Sequence, residues 1–475
     1  MIFAGSETQR INEIIKSNSL TRLQVIEKEI LKFKTSKKRK TMIDGDRYYK
    51  GIHDILERKR TVIGKDGNLS EVSNLPNNKI VDNQYARLVD QKCSYLLSKP
   101  FTIKCENTEL LELLNSIFNN DFFRILKDTG EDCLNCGSGY IYIYTKNGVD
   151  FKFKRFEPYN IIPFYKDSEH RELDCIVRLF YVSVYEGDRE IIKEKAEIYT
   201  DKGIERYFIK NTSLVFEESE YYLSDTLGNV FNLNYVPVIP FKLNSKEIPL
   251  ISRVKKLQDS LNIIESDFMN NMQEDARNTI LVLKNYDGTN LEEFRCNLAK
   301  YGAVKVKSID GAVGDIQTLK VNVDSGNYKV IADMLKRSIM ENARGIDSKD
   351  DRLTGNVTRM NIQSVYSDID LDANIMECEF QWSISKIIEL IGTFIKIRQN
   401  TFPNCKADIV FNRDILINET ESIENCIKST EILSQKSIIE QHPWVKDITA
   451  ELKRLDEQYE KNKKSQNPQI LNLKN

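Results

Sequence analysis

Residue types able to do chemistry occur in this chain as a few short runs. Cys133-Leu134-Asn135-Cys136 is a CxxC, the spacing of half a zinc site or of a redox pair. Either use needs further ligands or a redox setting. The other cysteines stand singly, and the only histidines are His53, His170 and His442. Two thiols at a helix end, packed near a strand, are therefore expected. Asp368, Asp370, Asp372 and Glu379 occupy positions one, three, five and twelve of a calcium-loop register. Position six is Ala373, where that loop needs glycine for its sharp turn, and position nine is Met376, a poor ligand for a hard cation. The run also continues an apolar helical stripe, so a solvated helix face is expected. One enzymatic alternative remains, a metal-dependent nucleic-acid enzyme using Asp368, Asp370 and Asp372 as ligands.

Gly137-Ser138-Gly139 lies between a helix and a strand, the reverse of the order that puts phosphate on a helix N-terminus, and reads as a helix stop. There is no Walker A sequence, so no ATPase, catalytic residue or cofactor is assigned. The basic run Lys37 to Lys40, with Arg47, Arg58, Lys59 and Arg60, could meet nucleic acid; a solvated outer surface accounts for it more simply. The formal net charge of −2 agrees, since a protein gripping DNA along a track is normally basic.

These runs sit in a chain of 475 residues, too long for one compact core. With 40% hydrophobic and 29% charged residues it reads as a soluble globular protein. The most apolar stretch, 384–397, is broken by Lys386, Glu389 and Lys396, so no membrane partner is expected. No signal peptide is legible in residues 1–10. Nine scattered cysteines suit free thiols in a reducing cytoplasm.

Periodicity yields the elements. Residues 1–45 are helical in pattern and end in the basic run. Residues 62–78 form a loop, 83–97 and 110–136 helices, and 140–241 mostly strands. Leu250, Val254, Leu257, Leu261, Ile264, Phe268 and Met272 make one apolar stripe on a helix about 40 Å long. A small β-α-β insert follows: strand 280–283, a turn at Asp287-Gly288, a helix capped by Asn290, and strand 303–307. A second helix runs from Asp324-Ser325 to Gly345 with Tyr328, Ile331, Leu335 and Ile339 on one face. After a polar stretch to about Met360 come a very long helix and two final helices, 420–441 and 445–463. The fold class is α+β, and a module hung on two long helices suits partner contact rather than a catalytic cleft.

Several stretches resemble, in order, the portal proteins of tailed phages infecting Gram-positive bacteria. They are Tyr48 to Leu56 with Asn77 to Asn83, then Tyr95 to Pro100, Gly139 to Tyr144, and Phe156 to Pro163. Val236 to Phe241 precedes the first long helix, and His442 to Asp447 leads into the last. The resemblance implies a portal fold. Its parts would be an α/β wing (1–248), a two-helix stem (249–278 and 323–345), a β-α-β clip (279–322), a tunnel loop (346–360), a long wing helix with the following strand (361–419), and a helical crown and tail (420–475).

It further implies a non-enzymatic ring at one capsid vertex of the virion, assembled in the host cytoplasm. A closed ring, typically of twelve copies, repeats one heterologous interface about its axis. Implied partners are double-stranded DNA, the terminase large subunit, a head–tail adaptor, and the major capsid and scaffolding proteins. Residues Thr279 to Val321 would dock partners. Asp347, Lys349, Asp350, Asp351, Arg352, Thr354, Asn356 and Arg359 would touch DNA from the tunnel loop, mixed in sign so that the grip stays weak. Leu257, Leu261, Ile264, Phe268, Ile331 and Leu335 would pack the stem. Glu265, Asp267, Glu274 and Asp275 would repel a duplex if they faced the channel.

Overall fold

The structure is a computed structural model, and the residues it describes are 12, 13, 16, 21–63, 68–72, 75–146, 150–223, 232, 233, 235–275, 280–284, 315–319, 325–347, 359–399, 406–413, 419–445 and 448–466. Helices α1 (Arg22–Lys34) and α2 (Lys37–Tyr49) lead to strands β1 (Thr61–Ile63) and β2 (Leu69–Glu71). Helix α3 (Gln84–Leu97), strand β3 (Thr102–Lys104) and helices α4 (Thr108–Ile117) and α5 (Asn120–Cys136) follow. Then come β4 (Ser138–Lys146), β5 (Asp150–Phe156), β6 (Ile161–Tyr165), β7 (Leu173–Glu186), β8 (Arg189–Tyr199), β9 (Gly203–Lys210), β10 (Ser213–Tyr221) and β11 (Val238–Lys242). The rest is α6 (Ile251–Asp275), β12 (Ile280–Lys284), β13 (Asp315–Leu319), α7 (Ser325–Ala343), α8 (Arg359–Gln399), β14 (Asp408–Val410), α9 (Glu419–Lys428), α10 (Gln435–Gln441) and α11 (Ile448–Gln466). The class is α+β, as the periodicity implied.

The chain divides into two compact units, residues 1–90, 131–144 and 154–343, and residues 91–130, 145–153 and 344–475. In the first, an antiparallel sheet of order β10-β9-β8-β7-β6 carries apolar side chains on both faces. Alternation sends Val177 and Leu179 to one face, where Val25, Ile26 and Ile30 of α1 cover them, and Ile176 to the other, beside Tyr140, Ile161 and Tyr199. Thr21 and Gln24 close a capping box at the start of α1. Ser36 accepts from the Arg39 N–H at 3.1 Å, so the basic run opens α2 instead of ending the helical region.

Gly45 of α2 lies against the backbone of α5, where an added Cβ would stand 1.9 Å from the Asn135 carbonyl oxygen. Gly137 stops α5 as expected: its φ is 87°, and a Cβ there would stand 2.2 Å from the Glu247 carbonyl.

In the second unit the 110–136 helix of the sequence reading is two helices. Asn119 Oδ1 accepts from the N–H groups of Asp121 and Phe122, at 3.0 and 3.2 Å, and so starts α5 afresh. Ser434 does the same for α10, dividing 420–441. Phe101 sits among Phe118, Phe122, Phe123 and Phe411, with ring centroids 5.1–6.3 Å away. Along α8, Ile369, Ala373, Met376, Phe380, Ile384, Ile387 and Ile391 are buried at helical spacing, confirming that stripe.

Gly45→Ala tests the α2–α5 approach. Helix propensity favours alanine by about 1 kcal/mol, while overpacking against backbone costs about 1–3 kcal/mol. The unfolding midpoint should therefore fall, and a midpoint that rises would mean the helices stand further apart.

Candidate functional site

Helix α6 presents two kinds of face. Gln258, Asn262, Ser266 and Asn270, four residues apart, are fully buried. They line the extended segment 78–83 and the first turn of α3 and serve the backbone of both. Asn270 Oδ1 accepts from Asn78 N–H at 2.7 Å, Ser266 Oγ from Ile80 N–H at 2.9 Å, Asn262 Oδ1 from Asp82 N–H at 3.1 Å, and Gln258 Oε1 from Tyr85 N–H at 3.1 Å. Gln258 Nε2 returns a bond to the Asp82 carbonyl at 2.6 Å. Four helical residues rise about 6 Å and two extended residues about 6.6 Å, so the first rungs stay in register.

Buried His53 joins the ladder. Its Nδ1 lies 2.7 Å from Asn262 Nδ2 and its Nε2 3.1 Å from the Tyr48 carbonyl. Nδ1 can accept only if the proton is on Nε2, so these contacts select the neutral Nε2–H tautomer. Burial also lowers the pKa of this imidazole.

Helix α7 packs on α6. The Phe268 and Tyr328 rings are 5.0 Å apart, and Asn271 Nδ2 donates to the Tyr328 hydroxyl at 2.8 Å. Lys336 Nζ stands 2.8 Å from Asp82 and 3.1 Å from Glu265, joining α7 to both the extended segment and α6. Burial would raise the Asp82 pKa, but Lys336 outweighs it and the value falls; burial and the nearby Asp82 raise that of Glu265. Of the residues expected to pack this pair, Leu261 is wholly buried and Leu335 nearly so. Leu257, Ile264 and Phe268 are half-buried, and Ile331 is 38% exposed. Met269, Met272, Val330 and Met334 are exposed too, Val330 to 67% and Met334 to 57%.

The approach to α6 is held by Glu247, a buried carboxylate with a φ of 54°. Lys38 reaches it at 2.6 Å, His170 at 3.1 Å and Lys242 at 3.7 Å. Burial would push its carboxyl up, but the His170 hydrogen bond and the two lysine charges hold it well below the usual carboxylate range. Lys38 itself stays 47% exposed, and Lys37 and Lys40 are exposed too, so this part of the basic run is solvated as expected while Lys38 also pairs with the buried carboxylate. Arg39 donates to the Tyr159 carbonyl at 2.8 Å, Arg47 pairs with Asp44 and Asp54, and Arg58 with Asp267 at 2.9 Å.

The aspartate run also departs from a solvated face. Asp368 is exposed. Asp370 accepts from Tyr95 Oη and Arg413 Nη1, both at 2.6 Å, and Asp372 from Lys92 Nζ and Arg344 Nη1, both at 2.9 Å. Cations and a phenol hold these carboxylates where a metal was the alternative, and among the described residues no His/Cys/Asp/Glu group is placed to bind one. Cys133 and Cys136 are buried at the end of α5, Cys133 Sγ 3.5 Å from the Phe241 carbonyl of β11, as expected of thiols near a strand.

Beyond α6, β12 pairs antiparallel with β13, Ile280 opposite Leu319. The expected strand 280–283 is present, and β13 is one that periodicity did not single out. Thr279, Val321, the turn at Asp287, the helix after Asn290 and strand 303–307 lie outside the described residues, as do Lys349, Asp350, Asp351, Arg352, Thr354 and Asn356. Asp347 is exposed, and Arg359 begins α8.

Residues 29–465 match the family described as phage portal protein, SPP1 Gp6-like. The chain belongs to that family. It is similar to the portal protein of Clostridium phage phiCD119, 27% identical over 424 residues that cover 86% of this chain and 91% of the relative. It also resembles the portal protein of Bacillus phage SPP1, 26% identical over 464 residues, 95% of this chain and 90% of the relative. The role is that of a phage portal, a structural protein of the virion, and the metal-enzyme alternative has no support. No helix among the described residues of this portal is long and apolar enough to cross a membrane.

Sequence reasoning recognised the apolar side of α6 but missed the ladder. The signal was Gln258, Asn262, Ser266 and Asn270 at a period of four, which looks the same as a solvated helix face.

Glu247→Gln should lower stability at pH 7 by about 3 kcal/mol, the scale of breaking a buried ion cluster. A carboxylate with a depressed folded pKa stabilises above its unfolded value, near 4.5, and loses that contribution as the pH falls below it. Denaturant unfolding of both proteins from pH 7 to pH 3 should show the gap narrowing below pH 4.5; a constant gap would overturn the assignment.

Proposed function

We propose that α6 and α7 form the stem of a ring-shaped portal, closed by copies of this chain packing side by side. The observation that supports this is the distribution of apolar surface on the two helices. The buried side of α6, with Gln258, Asn262, Ser266 and Asn270 beside Val254 and Leu261, is already occupied, whereas Met269, Met272, Val330, Ile331 and Met334 remain exposed. Exposed apolar side chains on two packed rods need a further partner, and in a cyclic assembly the neighbouring copy supplies it. Twelve subunits are the expected number.

In this reading the segment 279–322 is the clip that docks the terminase large subunit and later the head–tail adaptor. The ring stands at one capsid vertex, conducts double-stranded DNA in packaging and ejection, and assembles in the host cytoplasm with the major capsid and scaffolding proteins. Residues 1–248 and 361–419 serve as the wing, and 420–475 as the crown. The loop 346–360 meets DNA with Asp347, Lys349, Asp350, Asp351, Arg352, Thr354, Asn356 and Arg359. Glu265 and Asp267 have cationic partners in Lys336 and Arg58, which offsets the repulsion they would exert on a duplex.

Val330→Asp combined with Met334→Asp adds charge at exposed positions, so the subunit should fold with an unchanged circular dichroism spectrum. Mass photometry should show loss of rings; rings of unchanged size would remove α7 from the interface. Deleting 348–356 should leave rings intact and reduce packaged DNA, and undiminished packaging would exclude the loop from DNA contact.

A further inference from the structure

At the Asn270 end of the ladder, Arg58 Nη1, Asn77 Oδ1, Asn270 Nδ2 and Asp267 Oδ1 are shielded polar atoms without a hydrogen-bond partner among the described residues. Asn270 Oδ1 accepts twice from Asn78, from its backbone N–H at 2.7 Å and its Nδ2 at 2.9 Å. Those bonds turn the amide so that Asn270 Nδ2 is left without an acceptor, although the residue is 0% exposed. Asn77 gives its Nδ2 to the Arg58 carbonyl at 3.1 Å, which leaves its Oδ1 without a donor. Arg58 Nη2 donates to Asp267 Oδ2 at 3.2 Å and lies 2.9 Å from Oδ1 without an aligned bond to it, and Arg58 Nη1 is shielded and makes no hydrogen bond among the described residues.

The residues are neighbours through their bonds. Asn77 touches Arg58, Asn78 touches Asn270, and Asp267 precedes Asn270 by one turn of α6. Leaving a buried donor or acceptor unsatisfied is costly, so each of these atoms calls for a partner. Turning the amides over is no remedy. A flipped Asn270 would lose both bonds to Asn78, and a flipped Asn77 would set its oxygen against the Arg58 carbonyl.

We propose that Arg58 Nη1, Asn77 Oδ1 and Asn270 Nδ2 enclose a binding site for one structural water molecule. The chemistry requires a neutral ligand that both accepts and donates. An anion would meet the two donors but also Asn77 Oδ1 and the Asp267 carboxylate. A cation would meet the guanidinium. Water offers two lone pairs to the two donors and a hydrogen to Asn77, the three bonds typical of a buried water. It extends the ladder past Asn270 by tying the Arg58 segment, the extended strap and α6 together, independently of the ring reading.

A density map of the full chain, at a resolution that shows ordered water, tests this. The expected result is a peak about 3 Å from both Asn270 Nδ2 and Asn77 Oδ1. The proposal is overturned if no peak is present, or if these atoms are paired with other side chains. In Asn77→Ala the peak should weaken while the Asn78–Asn270 bonds persist; a peak of undiminished height would remove Asn77 from the site. An anomalous peak there after bromide exchange would make the ligand an anion and overturn the neutral assignment.

Discussion

An extended segment pressed onto a helix has backbone N–H groups that neither strand nor helix partners can reach. In this portal the side chains of Asn262, Ser266 and Asn270 reach three of them, Gln258 reaches the Tyr85 N–H in the first turn of α3, and much else follows from that arrangement. The ladder sets both the rotation of α6 about its axis and its register against 78–85, because a slip of one residue would strand every rung. It also determines which apolar residues of α6 face the protein. Leu261 is buried, whereas Met269 and Met272 point to solvent. The same rotation aims Glu265 at Lys336 and Phe268 at Tyr328, so the position of α7 is inherited from the ladder.

Charge secures the base of the same helix. Glu247 gathers a lysine from α2, a lysine from β11 and the histidine before β7 around one shielded carboxylate. Removing the carboxylate would take the counter-charge from buried Lys242, which is why a change to one partner of a buried pair costs more than the pair contributes. Gly137 permits this geometry, since any side chain there would collide with the Glu247 carbonyl. A helix so fixed at its base and along one side suits the stem role proposed for it.

Helix α8 follows a related logic with opposite solvent exposure. Its apolar stripe is buried, while the carboxylates of Asp370, Asp372 and Glu377 are taken up by Arg413, Lys92 and Arg344. None of those cations is near the aspartates in sequence. An acidic run that resembles a metal loop when read alone is therefore a set of ion-pair acceptors in the fold.

The sequence by itself determined the class of the protein and most of its elements. Apolar spacing of three and four residues is a local property, and it placed α6, α7 and α8 closely. Co-linear motifs carry the family resemblance without reference to the fold. Helix breaks at Asn119 and Ser434 were locally encoded too, but a capping side chain is a weaker signal than the apolar pattern running across it. Only the tertiary structure decided what the polar residues do. A buried amide and a solvated one obey the same spacing, and an aspartate facing water looks like one facing an arginine forty residues away. The distinction lies in which segment returns to cover that face, and such contacts are set by long-range packing rather than by neighbours in the chain.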